Sequence, residues 1–165
     1  MLDKEVERVK KQANGYPGKG NINARVWLDG VALANYGKTL ADFLSKKDFL
    51  NEQVNATGLW AKATLSVCSH YHHMVGPAMV AYGAVNESAG NIETAKKTYS
   101  AVLQDFECIL NYVEEDENMP EGDRLIALQS LQSAATKLLN LEEDSEMHKH
   151  ASKITSRIHN VLLKE

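Results

Sequence analysis

Apolar side chains recur every three to four positions over most of this chain, which is the period of an amphipathic α-helix. The clearest stretch alternates spacings of four and three through Ala95, Tyr99, Val102, Phe106, Ile109 and Val113. A second stretch near the C-terminus repeats the pattern at Met147, Ala151, Ile154, Ile158 and Val161. No segment shows sustained alternation with period two, so no strand is expected. The pattern predicts an all-α fold.

Glycine, proline and charged runs divide these stretches into separate helices. We expect breaks near residues 15–20, 46–49, 76–77, 89–91 and 114–120. The helix after the second break is expected to begin at Phe49 or Asn55 and to continue to Met74. These divisions predict five or six helices, packed as antiparallel hairpins in a repeat-like bundle. Residues 1–20 are expected to form a flexible or weakly helical N-terminal arm, and residues 21–165 a single helical domain.

Local capping signals support several of these boundaries. Pro77 suits the first turn of a helix, where its missing N–H would be unpaired anyway. Gly90 can take the left-handed conformation at a helix end, and Asn91 can cap the helix that follows. Asp144 and Ser145 offer a cap for the last helix.

The first helix of the domain carries two glycines, Gly30 and Gly37, on its apolar stripe, and further small residues, Ala34 and Ala41, beside it. Glycine inside a helix costs about 1 kcal/mol relative to alanine. Two glycines on one stripe therefore indicate that another helix backbone approaches closely. That helix belongs either to the same chain or to a second copy, and in the second case the stripe is a dimer seam.

Composition and charge exclude some classes of fold and some classes of partner. The chain is 44% hydrophobic and 24% charged with three prolines, which fits neither a disordered protein nor an all-β sandwich. Residues 1–100 carry 12 Lys and Arg against 9 Asp and Glu, whereas residues 101–165 carry 6 against 13. Because phosphate binding needs a basic surface, the acidic C-terminal half argues against a nucleic-acid partner.

The cysteines and the hydropathy pattern indicate the cellular compartment of the protein. Cys68 and Cys108 fall inside apolar helical patterns without regular spacing, so they are expected to be buried, reduced thiols. The N-terminus has no apolar signal core, and no continuously apolar run approaches the roughly 18 residues that span a bilayer. A cytoplasmic protein without a membrane span is expected.

Residues 77–106 carry small and aromatic side chains at the spacing of a two-helix unit. Gly83 lies in the first helix, Gly90 at the turn, and Ala95 and Tyr99 in the second helix. These residues and their spacing resemble the tetratricopeptide repeat, a helix–turn–helix unit of about 34 residues. The resemblance implies a hairpin closely packed through Gly83, Ala95 and Tyr99. Because such repeats usually hold peptides or proteins in a concave groove, it also implies a protein or peptide partner.

A weaker resemblance to the same unit lies upstream. Leu40, Phe43 and the turn at 47–49 take the corresponding places, but Glu52 stands where the alanine should be. The consensus tryptophan is missing, and no proline closes the unit. The resemblance therefore covers one hairpin.

Candidate metal ligands cluster at Cys68, His70, His72 and His73. On a helix, Cys68 and His72 share one face, and His70 and His73 share another. The two faces are roughly 160° to 200° apart, so one helix cannot present all four side chains to one ion. Further ligands would have to come from elsewhere, for example Cys108, Glu107 or His148. Metal or haem binding is the alternative function, and a polar helix end is the competing interpretation.

No catalytic residue is predicted. The chain has no Gly-x-Ser-x-Gly elbow, and a local cysteine–histidine pair is poor evidence for a nucleophile. Glu146 and His150 are four residues apart in the last helix, which is typical of a solvated face. No cofactor is expected. The leading prediction is a helical protein–protein interaction or assembly module without catalytic activity, whose partner is a protein or peptide, including a second copy of the chain.

Overall fold

The computed structural model describes residues 2–14, 23–68, 73–115, 121–141 and 145–162. This part of the chain contains seven helices and no strand, which confirms the all-α fold. The helices are α1 (Leu2–Asn14), α2 (Ala24–Leu44), α3 (Leu50–Val67), α4 (Val75–Ser88), α5 (Ile92–Glu115), α6 (Glu121–Leu141) and α7 (Glu146–Leu162). Six of them correspond to the helices expected in the domain, and α1 lies in the segment expected to be an arm.

Several sequence features fall outside this part of the chain. They are the predicted loop at 15–20, Asp144, and the side chains of Phe106, Cys108, Ile109 and Val113.

One predicted helix is too long. The helix expected to reach Met74 ends at Val67, because Cys68 adopts an extended backbone with φ −103° and ψ 149°. The next helix begins at Val75, two residues before Pro77, so that Pro77 lies in its first turn as expected. The apolar period could not locate this end, since the side chains that follow Val67 tolerate both helical and extended backbone.

The caps follow the expected chemistry. Oδ1 of Asn23 accepts a hydrogen bond of 2.9 Å from the backbone N–H of Arg25 at the start of α2. Oγ of Ser145 accepts one of 3.0 Å from the N–H of His148 at the start of α7, which confirms Ser145 as a cap. Gly90 has a φ of +77° at the turn between α4 and α5, as predicted.

Helices that are neighbours in sequence pack against each other throughout α2 to α7. In addition, α4 contacts α6 and α5 contacts α7. Helix α1 packs on both α2 and α3, with Val6 and Val9 almost fully buried. The largest apolar cluster is formed mainly by α5, α6 and α7, whereas α3 and α4 provide the main contact between the first three helices and the last four.

The small-residue stripe of α2 packs inside the chain. A Cβ at Gly37 would lie 2.6 Å from the backbone nitrogen of Trp60 and 3.0 Å from the carbonyl oxygen of Ala56. A Cβ at Gly30 would overlap the side chain of Val67. Glycine at both positions therefore lets α3 approach the backbone of α2. Of the two explanations, close packing within one chain is correct, and this stripe does not form a dimer seam.

Candidate interaction surface

Helix α2 carries a second row of apolar side chains on the side that faces away from α3. Leu28, Tyr36 and Phe43 are 59%, 53% and 59% exposed. At about 100° per residue, these three positions lie within roughly 80° of one another and opposite the buried stripe. Ala32 and Thr39 lie between them and are also exposed. We call these five residues the outer face of α2.

The apolar character of the outer face continues past the end of α2. Phe49 and Leu50, which open α3, are 53% and 37% exposed. Single exposed apolar residues are ordinary on a soluble protein, but a row of large ones at helical spacing is not. The row covers about 22 Å of helix length from Leu28 to Phe43, at 1.5 Å per residue. Such a row is the usual form in which a helix presents anchors to a partner.

An apolar cleft of about 600 Å³ lies at the C-terminal end of α2. It is lined by residues of four helices: Leu2 of α1, Leu40 and Leu44 of α2, Val54, Asn55, Ala56, Gly58 and Leu59 of α3, and Tyr82 of α4. The ring of Tyr82 is held close to α3 because Gly58 has no side chain, as a Cβ there would lie 3.2 Å from Cε2 of the ring. Asp3, Glu52 and Lys62 supply the charged side chains of the cleft. A volume of this size is in the range of ordinary ligand pockets.

The residues predicted to pack the hairpin meet in the structure. The ring of Tyr99 lies against Gly83, where a Cβ would overlap Cε1 and lie 2.8 Å from Cζ. Ala95 and Tyr99 are both fully buried. At the turn, the backbone N–H of Asn91 donates to the carbonyl of Asn86 over 2.8 Å. The side-chain amide of Asn91 donates to Oδ1 of Asn86 over 3.2 Å.

Tyr99 also takes part in a polar link between three helices. Its hydroxyl donates to Oε2 of Glu87 over 3.0 Å, and Nζ of Lys137 lies 3.0 Å from the same oxygen. Helices α4, α5 and α6 are thereby joined through one carboxylate. Burial of the phenol, and then its hydrogen bond to Glu87, raise the pKa of Tyr99 well above its usual range. The phenol is therefore neutral at physiological pH and acts as a donor.

The predicted metal ligands are only partly within the described residues. Cys68 is buried at the end of α3 and is not part of a disulfide. Nδ1 of His73 lies 3.4 Å from Oδ1 of Asp123 in α6. His70 and His72 lie outside the described residues. Within the part of the chain that the structure describes, no group of three or more His, Cys, Asp or Glu side chains is placed to hold a metal ion.

The spacing of His150 from Glu146 suggested a solvated helix face. In the structure, His150 instead contacts a residue of another helix. Its Nε2 lies 3.0 Å from Oε2 of Glu107 in α5, and the other oxygen of Glu107 lies 3.4 Å from Nη1 of Arg157. Glu146 instead pairs with Lys149 at 2.8 Å. The histidine was misassigned because a neighbour on the same helix is visible in the sequence, whereas a partner 43 positions away on α5 is not.

Sequence reasoning missed the outer face of α2, although its signal was present. Leu28, Tyr36 and Phe43 follow the same helical period as the buried glycine and alanine stripe, on the opposite side of the helix. A helix with two apolar sides is expected to bury both, and in this structure only one is buried.

Comparisons with protein-family models, with curated proteins and with solved structures found no match. Among the helices of the described residues, none combines the length and apolar character needed to cross a membrane.

Proposed function

We propose that this chain is a helical protein–protein interaction or assembly module without catalytic activity. The observation that carries the proposal is the outer face of α2, where Leu28, Tyr36 and Phe43 are each more than half exposed at helical spacing. Burying three such side chains against a partner would remove a large apolar area from water, which is the main driving force for protein association.

The arrangement of the helices is part of the same proposal. We infer that α2 with α3, α4 with α5, and α6 with α7 form three antiparallel hairpins stacked side by side, as in proteins built from tetratricopeptide repeats. The short connections at 45–49 and 89–91 support antiparallel neighbours. The contacts of α4 with α6 and of α5 with α7 support stacking of the second hairpin on the third, since each unit in a repeat array touches the corresponding helices of the next, whereas the first hairpin joins the second through α3 and α4.

The apolar cleft suggests that the partner inserts a side chain into this protein, in addition to packing on its surface. Its lining includes Leu40 and Leu44, near the C-terminal end of α2, and half of its lining residues are aliphatic. A partner helix lying along the outer face would end near this cleft, so that one anchor side chain could enter it. On the opposite flank of α2, the ammonium of Lys38 lies 5.7 Å from the ring centre of Trp60.

The proposal is tested by photo-crosslinking in the native cell. Tyr36 is replaced by a photoreactive phenylalanine analogue, and the matched control carries the same analogue at Leu125 of α6, which is 49% exposed. We expect light-dependent adducts from position 36 that are absent from position 125. If position 36 gives no more adduct than position 125, the outer face is not an interaction surface and the proposal fails.

A further inference from the structure

We propose that the groove between α2 and α3, which α1 occupies in this structure, is a docking site for an amphipathic helix of another protein that displaces α1. On α2 the groove is lined by Ala34, Leu40 and Leu44, and on α3 by Leu59 and Ala63. The inference goes beyond the proposed function, because the outer face of α2 takes no part in it and the two surfaces meet at the apolar cleft.

Helix α1 lies along the groove antiparallel to α2. Leu2 lines the cleft at the C-terminal end of α2. Val6 packs in one apolar cluster with Ala34, in the middle of α2. Nη2 of Arg8 lies 2.9 Å from Oδ2 of Asp29, nearer the start of α2. Rising residue numbers in α1 therefore meet falling residue numbers in α2, and the groove already accepts one helix in a defined direction.

The packing of α1 depends on few side chains. Within residues 2–12, Val6 and Val9 are buried and the other nine side chains are exposed. The ion pair of Arg8 with Asp29 is solvent-exposed on both sides, so screening leaves it a small contribution. By contrast, α6 alone buries six apolar side chains. Because segments with few buried apolar contacts open at a lower free energy than the core, α1 can leave the groove while α4 to α7 remain packed.

The groove is longer than the part of it that α1 fills. The apolar cleft of about 600 Å³ continues the seat of α1 toward Leu44, and Leu59 belongs to both, since it packs beneath α1 and also lines the cleft. At 1.5 Å per residue, the groove wall on α2 from Asp29 to Leu44 is about 22 Å long, whereas the apolar row of α1 from Leu2 to Val9 covers about 10 Å. A helix that fills the whole groove therefore needs one more large apolar side chain than α1 offers.

The chemistry of the partner helix follows from that of the groove. Apolar anchors at the spacing of Leu2, Val6 and Val9, four and then three residues apart, place one row of side chains against the groove. A further large apolar side chain, one turn before the first anchor, fills the cleft. A cation one residue before the last anchor meets Asp29, as Arg8 does in α1. Residues 2–14 of a second copy would leave the cleft open as the chain's own α1 does, so the occupant is a helix of another protein.

Binding of a peptide in trans tests the exchange. The probe is a fluorescent peptide with the sequence of residues 2–14, titrated with the full chain and followed by anisotropy. Val9→Asp in the chain removes the deeper anchor of α1, since Val9 is fully buried in the largest apolar cluster. We expect this variant to bind the peptide at least roughly tenfold more tightly than the unmodified chain, because its own α1 no longer occupies the groove. Lys10→Asp is the matched control, since it places the same charge at the neighbouring exposed position and should leave the affinity unchanged.

Two further peptides test the anchor pattern. A peptide that itself carries Val9→Asp should bind neither chain. A peptide extended by one turn, with leucine four positions before Leu2, should bind at least roughly fivefold more tightly than the shorter peptide, since the added side chain enters the cleft. Equal affinities of the Val9→Asp and Lys10→Asp chains, or no gain from the extended peptide, would overturn the inference.

Hydrogen exchange of the unmodified chain decides the case in which Val9→Asp unfolds the whole protein. The amides that are hydrogen-bonded within α1 should exchange at least roughly tenfold faster than those in the middle of α5 and α6. If the amides of α1 exchange only together with those of α5 and α6, α1 is an integral part of the core and the inference fails.

Sedimentation of the unmodified chain separates the two sources of a helix. A dimer that the extended peptide dissociates would identify α1 of a second copy as the occupant and would overturn the assignment to another protein, whereas a monomer supports it. The outcome is separable from that of the proposed function, because crosslinking from position 36 does not depend on the groove. Adducts at position 36 without peptide binding would retain the outer face and remove the groove, and the reverse result would do the opposite.

Discussion

The ring of Tyr99 in α5 occupies the space where a side chain at Gly83 in α4 would begin. Because position 83 is glycine, Tyr99, the largest fully buried side chain of the described core, can pack between the two helices. The contact joins the middle of α4 to the first half of α5 and lies close to the turn at Gly90.

Gly83→Ala should destabilise the protein by about 1–3 kcal/mol, because the new methyl group displaces the Tyr99 ring in a close-packed core. Urea unfolding monitored by circular dichroism measures the change. Gly122→Ala is the matched control, since a Cβ at that position meets no atom within 4 Å. The control should be neutral or stabilising by up to about 1 kcal/mol through helix propensity. Equal effects of the two substitutions would contradict the packing described for Gly83.

Gly30→Ala and Gly37→Ala should differ in whether a second substitution rescues them. At Gly30 the obstacle is the side chain of Val67, so Val67→Ala should recover part of the loss. At Gly37 the obstacle is the backbone of Trp60 and Ala56, which no side-chain change removes. Each single variant should lose about 1–3 kcal/mol.

The comparison is made by denaturant unfolding of Gly30→Ala, Gly37→Ala, Val67→Ala and the two corresponding double variants. Coupling of Val67→Ala with Gly30→Ala, and its absence with Gly37→Ala, is the expected result. If Val67→Ala rescued both glycine variants equally, the backbone approach at Gly37 would not be the limiting contact.

The Tyr99 phenol should make the protein sensitive to alkali. A group whose pKa is raised on folding contributes stability that is fully present below its unfolded pKa, near 10, and is lost as the pH rises through its folded pKa. The free energy of unfolding of the unmodified chain should therefore fall more steeply above about pH 10 than that of Tyr99→Phe. At neutral pH the substitution should cost about 0.5–1.5 kcal/mol, the usual net contribution of one hydrogen bond.

Unfolding free energies measured at several pH values between neutral and strongly alkaline separate the two effects. The same substitution at the exposed Tyr36 is the control, since it removes a phenol without a buried partner. Parallel curves for the unmodified chain and Tyr99→Phe would contradict both the burial of the phenol and its hydrogen bond to Glu87.

Ser145→Ala should destabilise α7 by about 1 kcal/mol, because it leaves the N–H of His148 without its capping acceptor. Thermal unfolding followed by circular dichroism measures the change. Ser156→Ala, at an exposed position within the same helix, should be neutral or slightly stabilising, since alanine is the better helix former. The order of the two melting temperatures is the decisive observation.

The helices were predictable because their physical cause is local. The apolar period from Ala95 to Val102 and the cap at Ser145 are properties of short stretches of sequence, and the structure has both. The end of α3 was not predictable in this way, since neither Cys68 nor the residues after it carry a clear stop signal.

The candidate surface depended on long-range information. The glycines of α2 indicated a close neighbour, but only the structure shows that the neighbour is α3 and that the opposite side, with Leu28 and Tyr36, is left exposed. The partner of His150 likewise became visible only when α5 and α7 were brought together. Periodicity identifies an apolar side of a helix, and tertiary packing decides what covers it.

The close packing of α2 on α3 also determines what can be observed when the protein unfolds. The chain has two tryptophans, Trp27 on α2 and Trp60 on α3, the latter against the backbone at Gly37. Tryptophan fluorescence, excited at a wavelength that tyrosine does not absorb, is therefore a probe of the first three helices alone, whereas the far-ultraviolet ellipticity averages over all seven helices. Where the two signals change together, the chain behaves as one cooperative unit, and where they separate, the α3–α4 contact is the boundary between two.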